Sequence, residues 1–156
     1  MNTYRLSVPL LFGLGVILSA AADEPVPMQR LTPPEIVALV GAVPSGAPGP
    51  RMTVLVGDPT KPGLYTVRVS IAAHTQVRPH THRDNRSVVV VAGLWRVGYG
   101  KSFDPGALKE LPPGSFYTEP AGQPHFAEAR DEPVVIQVTG YGPSDTQFVE
   151  RQSARP

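Results

Sequence analysis

The sequence predicts an all-β domain, a sandwich or a jelly roll, with one short helix before it. From residue 52 onwards, apolar residues recur in short runs separated by turn signals, a pattern typical of short strands. Many of the 19 prolines and 15 glycines fall between these runs, where they end strands. Since 41% of the residues are hydrophobic, the chain can form a core, and the prolines do not indicate disorder.

Residues 1–22 are typical of a secretory signal peptide. Arg5 gives a weakly positive start, residues 8–18 form an apolar run, and Ala20–Ala22 matches an A-x-A cleavage site. The run is shorter than the about 20 apolar residues that a membrane span requires, and an acidic, Pro-rich segment follows it. We therefore expect cleavage after Ala22 and a periplasmic or secreted protein. The alternative is an uncleaved N-terminal anchor.

Charge and cysteine content exclude several classes of function. The chain has 14 basic and 13 acidic residues, and Arg5 is the one charged residue of the leader, so residues 23–156 carry 13 of each. A neutral protein without a basic run is not expected to bind nucleic acid or a membrane surface. The chain has no cysteine. An exported protein of this sequence therefore depends on its core and on closed sheet edges rather than on disulfides.

The helix is expected at the start of the mature chain. Thr32 can cap it, Pro33 suits the first helical position, and Glu35 completes a capping box. A Pro/Gly/Ser linker follows the helix. The expected organisation is a signal peptide (1–22), a lead with the helix and linker (23–50), a β domain (51–150) and a loose tail (151–156).

The strands show a period-two pattern. Between Leu64 and Ala72 the large apolar residues occupy positions 65, 67, 69 and 71, which places them on one face of a half-buried strand. Val88–Val91 is apolar on both faces, which predicts a strand in the middle of a sheet or sandwich. The expected strands are 52–56, 64–72, 88–91, 94–99, 115–119, 123–127 and 134–139, with 147–149 as a candidate edge strand.

Three of the four histidines fall in two short segments. His80 and His82 are spaced i, i+2, so in an extended strand they share one face. Two imidazoles on one face form a bidentate clamp for a divalent transition metal. His125 follows a Pro-x-Gly turn and can supply a third nitrogen from a neighbouring strand. The fourth histidine, His74, is interpreted as a strand-end residue.

The second of these segments resembles the second sequence motif of the cupin superfamily. Gly114-x5-Pro120-x-Gly122-x2-His125 matches that motif apart from its final Asn, which falls on Ala129. The first segment resembles the first cupin motif, in which H-x-H is followed by a Glu and then a Gly.

In the first motif the frame is kept, but one ligand is changed. His80-x-His82 and Gly93 lie at the motif positions, and Arg86 stands where the motif has its Glu. The resemblance covers about residues 52 to 141. It implies a single cupin-type β-barrel, that is, a double-stranded β-helix or jelly roll, with no internal repeat.

The resemblance also implies a metal site formed by His80, His82 and His125, which would hold iron, manganese, nickel or zinc. Without the motif's Glu, the three imidazoles offset none of the metal's charge and leave more positions open for water, oxygen or substrate. Cupin-like thiol dioxygenases and some diketone-cleaving dioxygenases have a similar three-His arrangement. This keeps an oxygenase-type reaction on a small organic molecule open.

Arg86 and Glu119 are the candidate catalytic residues, and each has an alternative. Arg86 shares strand parity with the histidines and can orient a substrate carboxylate or phosphate; alternatively it points to solvent or pairs with Asp84. Glu119 can replace the lost Glu as ligand or base, or can pair with Arg86; alternatively it is an exposed strand-end acid. Arg83, Asp84 and Asn85 are interpreted as solvated turn residues.

The remaining candidates concern the pocket wall. Gln137 interrupts an apolar run and either lines the pocket or ties to a neighbouring strand. Trp95, Tyr99 and Phe126 are interpreted as core or pocket wall. Three hypotheses follow: a metal-dependent enzyme acting on a small molecule, a non-catalytic module that binds a small ligand or metal, and a structural barrel with a degenerate site. A homodimer is plausible for an exposed edge strand.

Overall fold

The computed structural model describes residues 26–40 and 49–149. The expected signal peptide, residues 23–25 and 41–48 of the lead and linker, residue 150 and the tail at 151–156 lie outside these residues. No helix in the described part is long and apolar enough to cross a bilayer.

The predicted helix is confirmed as α1 (Pro33–Val40). The half of the capping box in which Glu35 reaches back to Thr32 forms as the residue spacing predicts. The Glu35 carboxylate accepts hydrogen bonds from the main-chain N–H and from the hydroxyl of Thr32, each at 2.6 Å. The first of these bonds satisfies the main-chain N–H of the cap residue, and the second fixes the Thr32 side chain beside Glu35.

Ten strands form the domain within the described residues, and the all-β prediction is confirmed. They are β1 (Arg51–Val56), β2 (Gly63–Ile71), β3 (Thr75–Thr81), β4 (Arg86–Ala92), β5 (Trp95–Tyr99), β6 (Lys109–Leu111), β7 (Phe116–Glu119), β8 (His125–Ala129), β9 (Val134–Gly142) and β10 (Gln147–Phe148). Two of them, β3 and β6, are not among the strands that the sequence predicts, although the H-x-H segment in β3 is predicted to be extended. The edge strand near 147–149 is confirmed as β10.

The strands form two five-stranded antiparallel sheets. Sheet 1 has the order β1-β2-β9-β4-β7, and sheet 2 has the order β10-β3-β8-β5-β6. Neighbouring strands in each sheet are mostly distant in sequence, as in a double-stranded β-helix. The two sheets face each other and enclose the core.

The core lies on the inner faces of the sheets. In β2 the predicted alternation is confirmed: Tyr65, Val67 and Ile71 are 1–2% exposed. The prediction that the β4 segment lies inside a sheet is confirmed, because β9 and β7 flank β4, but only one face of the strand is buried. Val88 and Val90 are buried, but Val89 and Val91 are 41% and 39% exposed. Although β4 lies between β9 and β7, no second layer covers the outer face of sheet 1 there within the described residues.

Two strand pairs bring the motif residues together. In sheet 2, β3 pairs with β8, and His80 lies opposite His125. In sheet 1, β4 pairs with β7, and Arg86 lies opposite Glu119. Each pair joins a residue of the first motif to a residue of the second.

The motif glycine at 93 has a steric role. Gly93 ends β4 with a φ of 75°, a conformation that side chains disfavour. A Cβ at this position would lie 2.2 Å from the main-chain oxygen of Pro133. The close approach of these two chain segments therefore requires glycine, and the turn leads directly into β5.

Candidate metal centre

The three predicted histidines converge. His80 lies near the end of β3, His82 follows that strand, and His125 begins β8. They are 7%, 3% and 2% exposed. One ring nitrogen from each lies within 4.8 Å of the other two, which is a spacing that can hold a metal ion.

Main-chain carbonyls orient all three rings. Each Nδ1 faces a carbonyl oxygen, which can only accept a hydrogen bond, so Nδ1 is the protonated nitrogen. In a neutral imidazole Nε2 then carries the lone pair that a metal needs. The three contacts are His80 Nδ1 to Arg78 O at 2.7 Å, His82 Nδ1 to Asp145 O at 2.5 Å, and His125 Nδ1 to Gln123 O at 3.3 Å.

The other ring nitrogens fit a metal. The Nε2 atoms of His82 and His125 are buried and have no hydrogen-bond partner. Burial, followed by the nearby His125, lowers the pKa of His80 to about 4. Burial and the Arg86 charge likewise lower the pKa of His82 to about 4. At neutral pH these two imidazoles are therefore uncharged and available as ligands.

Glu119 lies beside the histidines. Its side chain, on β7, is buried, so the expectation of an exposed strand-end acid is wrong. One carboxylate oxygen, Oε1, is 3.4 Å from His125 Nε2, and the other, Oε2, is 3.7 Å from His82 Nε2. The carboxylate thus faces the two nitrogens that have no hydrogen-bond partner.

Arg86 points inward and pairs with Glu119. Its Nε donates a hydrogen bond to Glu119 Oε2 at 2.7 Å, and a terminal nitrogen contacts the same oxygen. The alternatives of a solvent-facing Arg86, or of an Arg86 paired with Asp84, do not hold. Burial raises the pKa of Glu119, but the polar contact with His125 and the Arg86 charge outweigh it and hold that pKa at about 2.

Tyr117 completes the polar cluster. Its hydroxyl donates to Glu119 Oε1 at 3.2 Å and accepts from Trp95 Nε1 at 3.0 Å. Burial, followed by the Glu119 charge, raises the pKa of Tyr117 well above its ordinary value. The hydroxyl therefore stays protonated and keeps the orientation that both partners impose.

The loop between the motif histidines and β4 differs in part from its prediction. Arg83 and Asn85 are exposed, as expected of solvated turn residues. Asp84 is buried, so that interpretation is wrong for it. Its Oδ2 accepts a hydrogen bond of 2.7 Å from the hydroxyl of Tyr65 on β2. This bond ties the loop to sheet 1.

The polar cluster opens into a cavity of about 380 Å³ between the sheets. The volume falls within the range of about 300–1,000 Å³ that small-molecule sites have. Apart from the cluster the walls are almost wholly apolar, with Val67, Ile71 and Ile136 among the lining residues. Met52 and Phe148 line the cavity and are also more than half exposed, so its mouth lies between β1 and β10.

The remaining candidates lie elsewhere. Gln137 accepts a hydrogen bond of 2.9 Å from Arg68 on the neighbouring β2. Of its two predicted roles, the bond to a neighbouring strand is therefore correct, and Gln137 does not line the cavity. Trp95 lines the cavity and Phe126 is fully buried, as expected. Tyr99 is 56% exposed, which contradicts its interpretation as core or pocket wall. His74 lies exposed in the turn before β3, as a strand-end residue would.

Sequence reasoning missed the groups that hold the site residues. The carbonyl of Asp145 anchors His82 across 63 positions of the chain, and the Tyr65 hydroxyl anchors Asp84 across 19. A main-chain carbonyl carries no residue-type signal. Only the parity of Tyr117 with Glu119 was available to indicate its contact with the cluster.

Comparisons with known proteins support the fold. No family model matches the sequence, and no curated protein matches it. Among solved structures, the polyketide cyclase RemF from Streptomyces resistomycificus matches with a TM-score of 0.60 and 19% identity, over 81% of this chain and 88% of RemF. A cupin 2 domain-containing protein from Halorhodospira halophila matches with a TM-score of 0.54 and 20% identity, over 65% of this chain and 70% of that one.

A structure of the DMSP lyases RdDddP and RnDddQII also matches, with a TM-score of 0.55 and 18% identity over 65% of this chain. The match covers 53% of the lyase chain, so this chain spans about half of its length. At such identities the similarity concerns the fold. The chain has the cupin-type double-stranded β-helix fold, as its two motifs predict, and a three-histidine cluster that fits metal binding.

Proposed function

We propose that this protein is a metal-dependent enzyme of cupin fold that acts on a small organic molecule. The observation that carries the proposal is the convergence of three buried imidazoles, two of them with an unpartnered Nε2, at the end of a cavity. A buried polar atom without a partner costs free energy. Here two such nitrogens converge, and the other nitrogen of each ring is held by a main-chain carbonyl. This arrangement favours a bound ion that accepts the free lone pairs.

His80, His82 and His125 would hold the metal, since neutral imidazoles suit iron, manganese, nickel or zinc. When bound, such an ion polarises a substrate oxygen or, if it is iron, activates dioxygen. The apolar walls exclude water from the polar cluster and strengthen the interactions within it. Glu119, whose pKa of about 2 keeps it ionised, supplies negative charge beside the histidines, and Tyr117 holds its carboxylate in place.

The cavity favours a largely apolar substrate with one polar group. Aliphatic and aromatic side chains form most of its lining, and they offer no partners to a highly polar molecule. The Arg86 charge, expected to bind an anionic substrate, is taken up by Glu119. This pairing favours a neutral substrate, or one whose single polar group approaches the three histidines.

An oxygenase-type reaction is the class that we infer from the three-His resemblance. The structural neighbours include a polyketide cyclase and DMSP lyases by name, so the fold accommodates other chemistry as well. Oxygen uptake with phenolic, carbonyl or thiol compounds tests the oxygenase reaction. Metal binding without turnover of phenolic, carbonyl or thiol compounds would favour the non-catalytic binding module instead.

The test of the metal proposal is the metal content of the mature protein, purified without a polyhistidine tag and analysed by elemental mass spectrometry. We expect near-stoichiometric metal in the wild type and background levels in His82→Ala. His74→Asn is the matched control, because it removes an exposed imidazole at a position whose φ of 59° asparagine tolerates. A wild type that is empty and cannot be loaded would refute the proposal.

We also propose that the chain is exported and dimeric. The leader pattern supports export, and N-terminal sequencing of protein from a periplasmic fraction should begin at Asp23; an intact Met1 would contradict it.

The edge position of β1, with Met52 59% and Val54 43% exposed, supports a homodimer. Light scattering should give twice the monomer mass, and a monomer at micromolar concentration would contradict it.

A further inference from the structure

The carboxylate absent from the first motif is present one strand away. Arg86 stands at the motif's Glu position on β4, and Glu119 is its direct partner in the β4–β7 ladder. Side chains that are directly opposite in an antiparallel pair lie on the same face of the sheet. Glu119 therefore reaches the same end of the cavity that a glutamate at position 86 would reach.

The distances suit two ligands of one metal. Metal–nitrogen and metal–oxygen bonds of about 2.1 Å put neighbouring ligand atoms about 3.0–3.4 Å apart. Glu119 Oε1 is 3.4 Å from His125 Nε2. Arg86 engages Oε2, so Oε1 is the oxygen that the guanidinium leaves available. The His125 Nε2 that faces it makes no hydrogen bond.

The charges at the site also favour the carboxylate as a ligand. A divalent ion on three neutral imidazoles, next to the Arg86 guanidinium, would place several positive charges in an apolar cavity. Uncompensated charge in such surroundings is costly. Glu119 is the acidic residue among the cavity-lining residues, so it is the group that can offset them.

We propose that Glu119 is the fourth protein ligand of the metal, transferred from β4 to the cross-strand position on β7, and that Arg86 is a positioning residue that holds the carboxylate through Oε2. This inference rests on the metal site proposed above. The competing explanation is that Glu119 only pairs with Arg86. Under that explanation, loss of Glu119 would affect the fold but not the coordination of the metal.

The experiment measures Zn²⁺ and Co²⁺ affinity by competition with a chromophoric chelator, and records the visible spectrum of the Co²⁺ form, which reports its ligand set. Glu119→Gln keeps the size of the side chain and removes the charge. We expect its affinity to fall at least about tenfold and the Co²⁺ spectrum to change. Circular dichroism verifies that each variant is folded.

A second variant removes the risk that an unpaired Arg86 unfolds the protein. Arg86→Gln/Glu119→Gln deletes both charges, so the net charge beside the histidines does not change. If Glu119 is a ligand, the affinity of this double variant still falls at least about tenfold. If the Arg86 and Glu119 charges act only through their field, affinity stays at the wild-type value, and the inference is overturned.

His82→Ala separates the two proposals. If it abolishes binding while both glutamine variants bind and absorb like the wild type, the histidine site stands and the fourth-ligand inference fails. If His82→Ala itself binds like the wild type, the metal site proposed above fails. Loss of affinity in all three variants, with His74→Asn unchanged, supports both.

Discussion

The two sheets contribute unlike groups to one cavity. Sheet 2 and the segments next to it supply three imidazoles, each oriented by a main-chain carbonyl. Sheet 1 supplies Arg86, Glu119 and Tyr117, which are oriented mainly by one another. Two unpartnered Nε2 atoms, of His82 and His125, thus face a network of charged and hydroxyl groups across the cavity.

The histidines are held by main-chain atoms, whereas the side chains of sheet 1 are held by other side chains. A carbonyl remains in place whatever side chain its residue carries, so the histidines tolerate substitution of their anchoring residues. The network in sheet 1 has no such independence. Removal of one member leaves a buried partner without its charge or hydrogen bond, and single changes there should cost more than paired changes.

Acid should produce the largest effect, because it acts on the histidines together. His80 and His82 have pKa values of about 4 in the folded protein, lowered from 6.5 chiefly by burial. Between these values the unfolded chain binds more protons than the folded one, so folding stability falls as pH falls. We expect the free energy of unfolding of the chelator-treated protein, measured with urea, to decrease from about pH 6.5 towards pH 4.

The Glu119 carboxylate should cause a further loss of folding stability at still lower pH. Its pKa is lowered from 4.5 to about 2, so its contribution is present above pH 4.5 and disappears as pH falls towards 2. His82→Gln is the control for the histidine contribution between pH 6.5 and pH 4, because it removes one of the two titrating imidazoles. Its stability should depend less steeply on pH between 6.5 and 4, and an unchanged slope would contradict the assignment.

Removal of Arg86 should have the next largest effect. Its side chain is 14% exposed and that of Glu119 is 5% exposed, so Arg86→Met leaves a buried carboxylate without its partner. We expect the metal-free protein to lose about 3–5 kcal/mol in the free energy of unfolding. Arg86→Met/Glu119→Leu should recover most of that loss, and a double variant as unstable as the single one would argue against a mutually dependent pair.

Tyr117→Phe should have a smaller effect. It removes the hydroxyl that accepts from Trp95 Nε1 and donates to Glu119, and it leaves the buried indole N–H unpaired. The expected cost is about 1–3 kcal/mol, measured by urea unfolding. Tyr99→Phe is the matched control, since the exposed Tyr99 hydroxyl bonds only to the Thr118 carbonyl among the described contacts. A similar loss in both variants would contradict a specific role for Tyr117.

The smallest effect should come from Asn85, which links the turn before β4 to the turn before β8. Its Oδ1 accepts a hydrogen bond of 2.9 Å from the main-chain N–H of Ala121 at an exposed position. Asn85→Ala should cost about 0.5–1 kcal/mol, again by urea unfolding. Asn85→Asp keeps the acceptor and should stay close to the wild type; equal losses in the two variants would show that this hydrogen bond contributes little.

Much of the fold follows from local pattern. The alternation in β2 depends on residue spacing alone, and the capping box of α1 depends on three neighbouring residues. The outer face of β4 is different, because the same run of valines is compatible with one or two covering layers. Its exposure depends on how many layers the domain has, which a single strand does not specify.

The sequence by itself determined the three histidines, their shared face and the cupin-type barrel, because fixed spacing on a strand decides which side chains lie together. Only the tertiary structure decided that Arg86 pairs with Glu119, 33 residues away, and that Asp84 is buried on Tyr65. These contacts depend on which strands are neighbours and in what register. Both are set by the packing of the whole chain into two sheets, and not by the residues that make the contact.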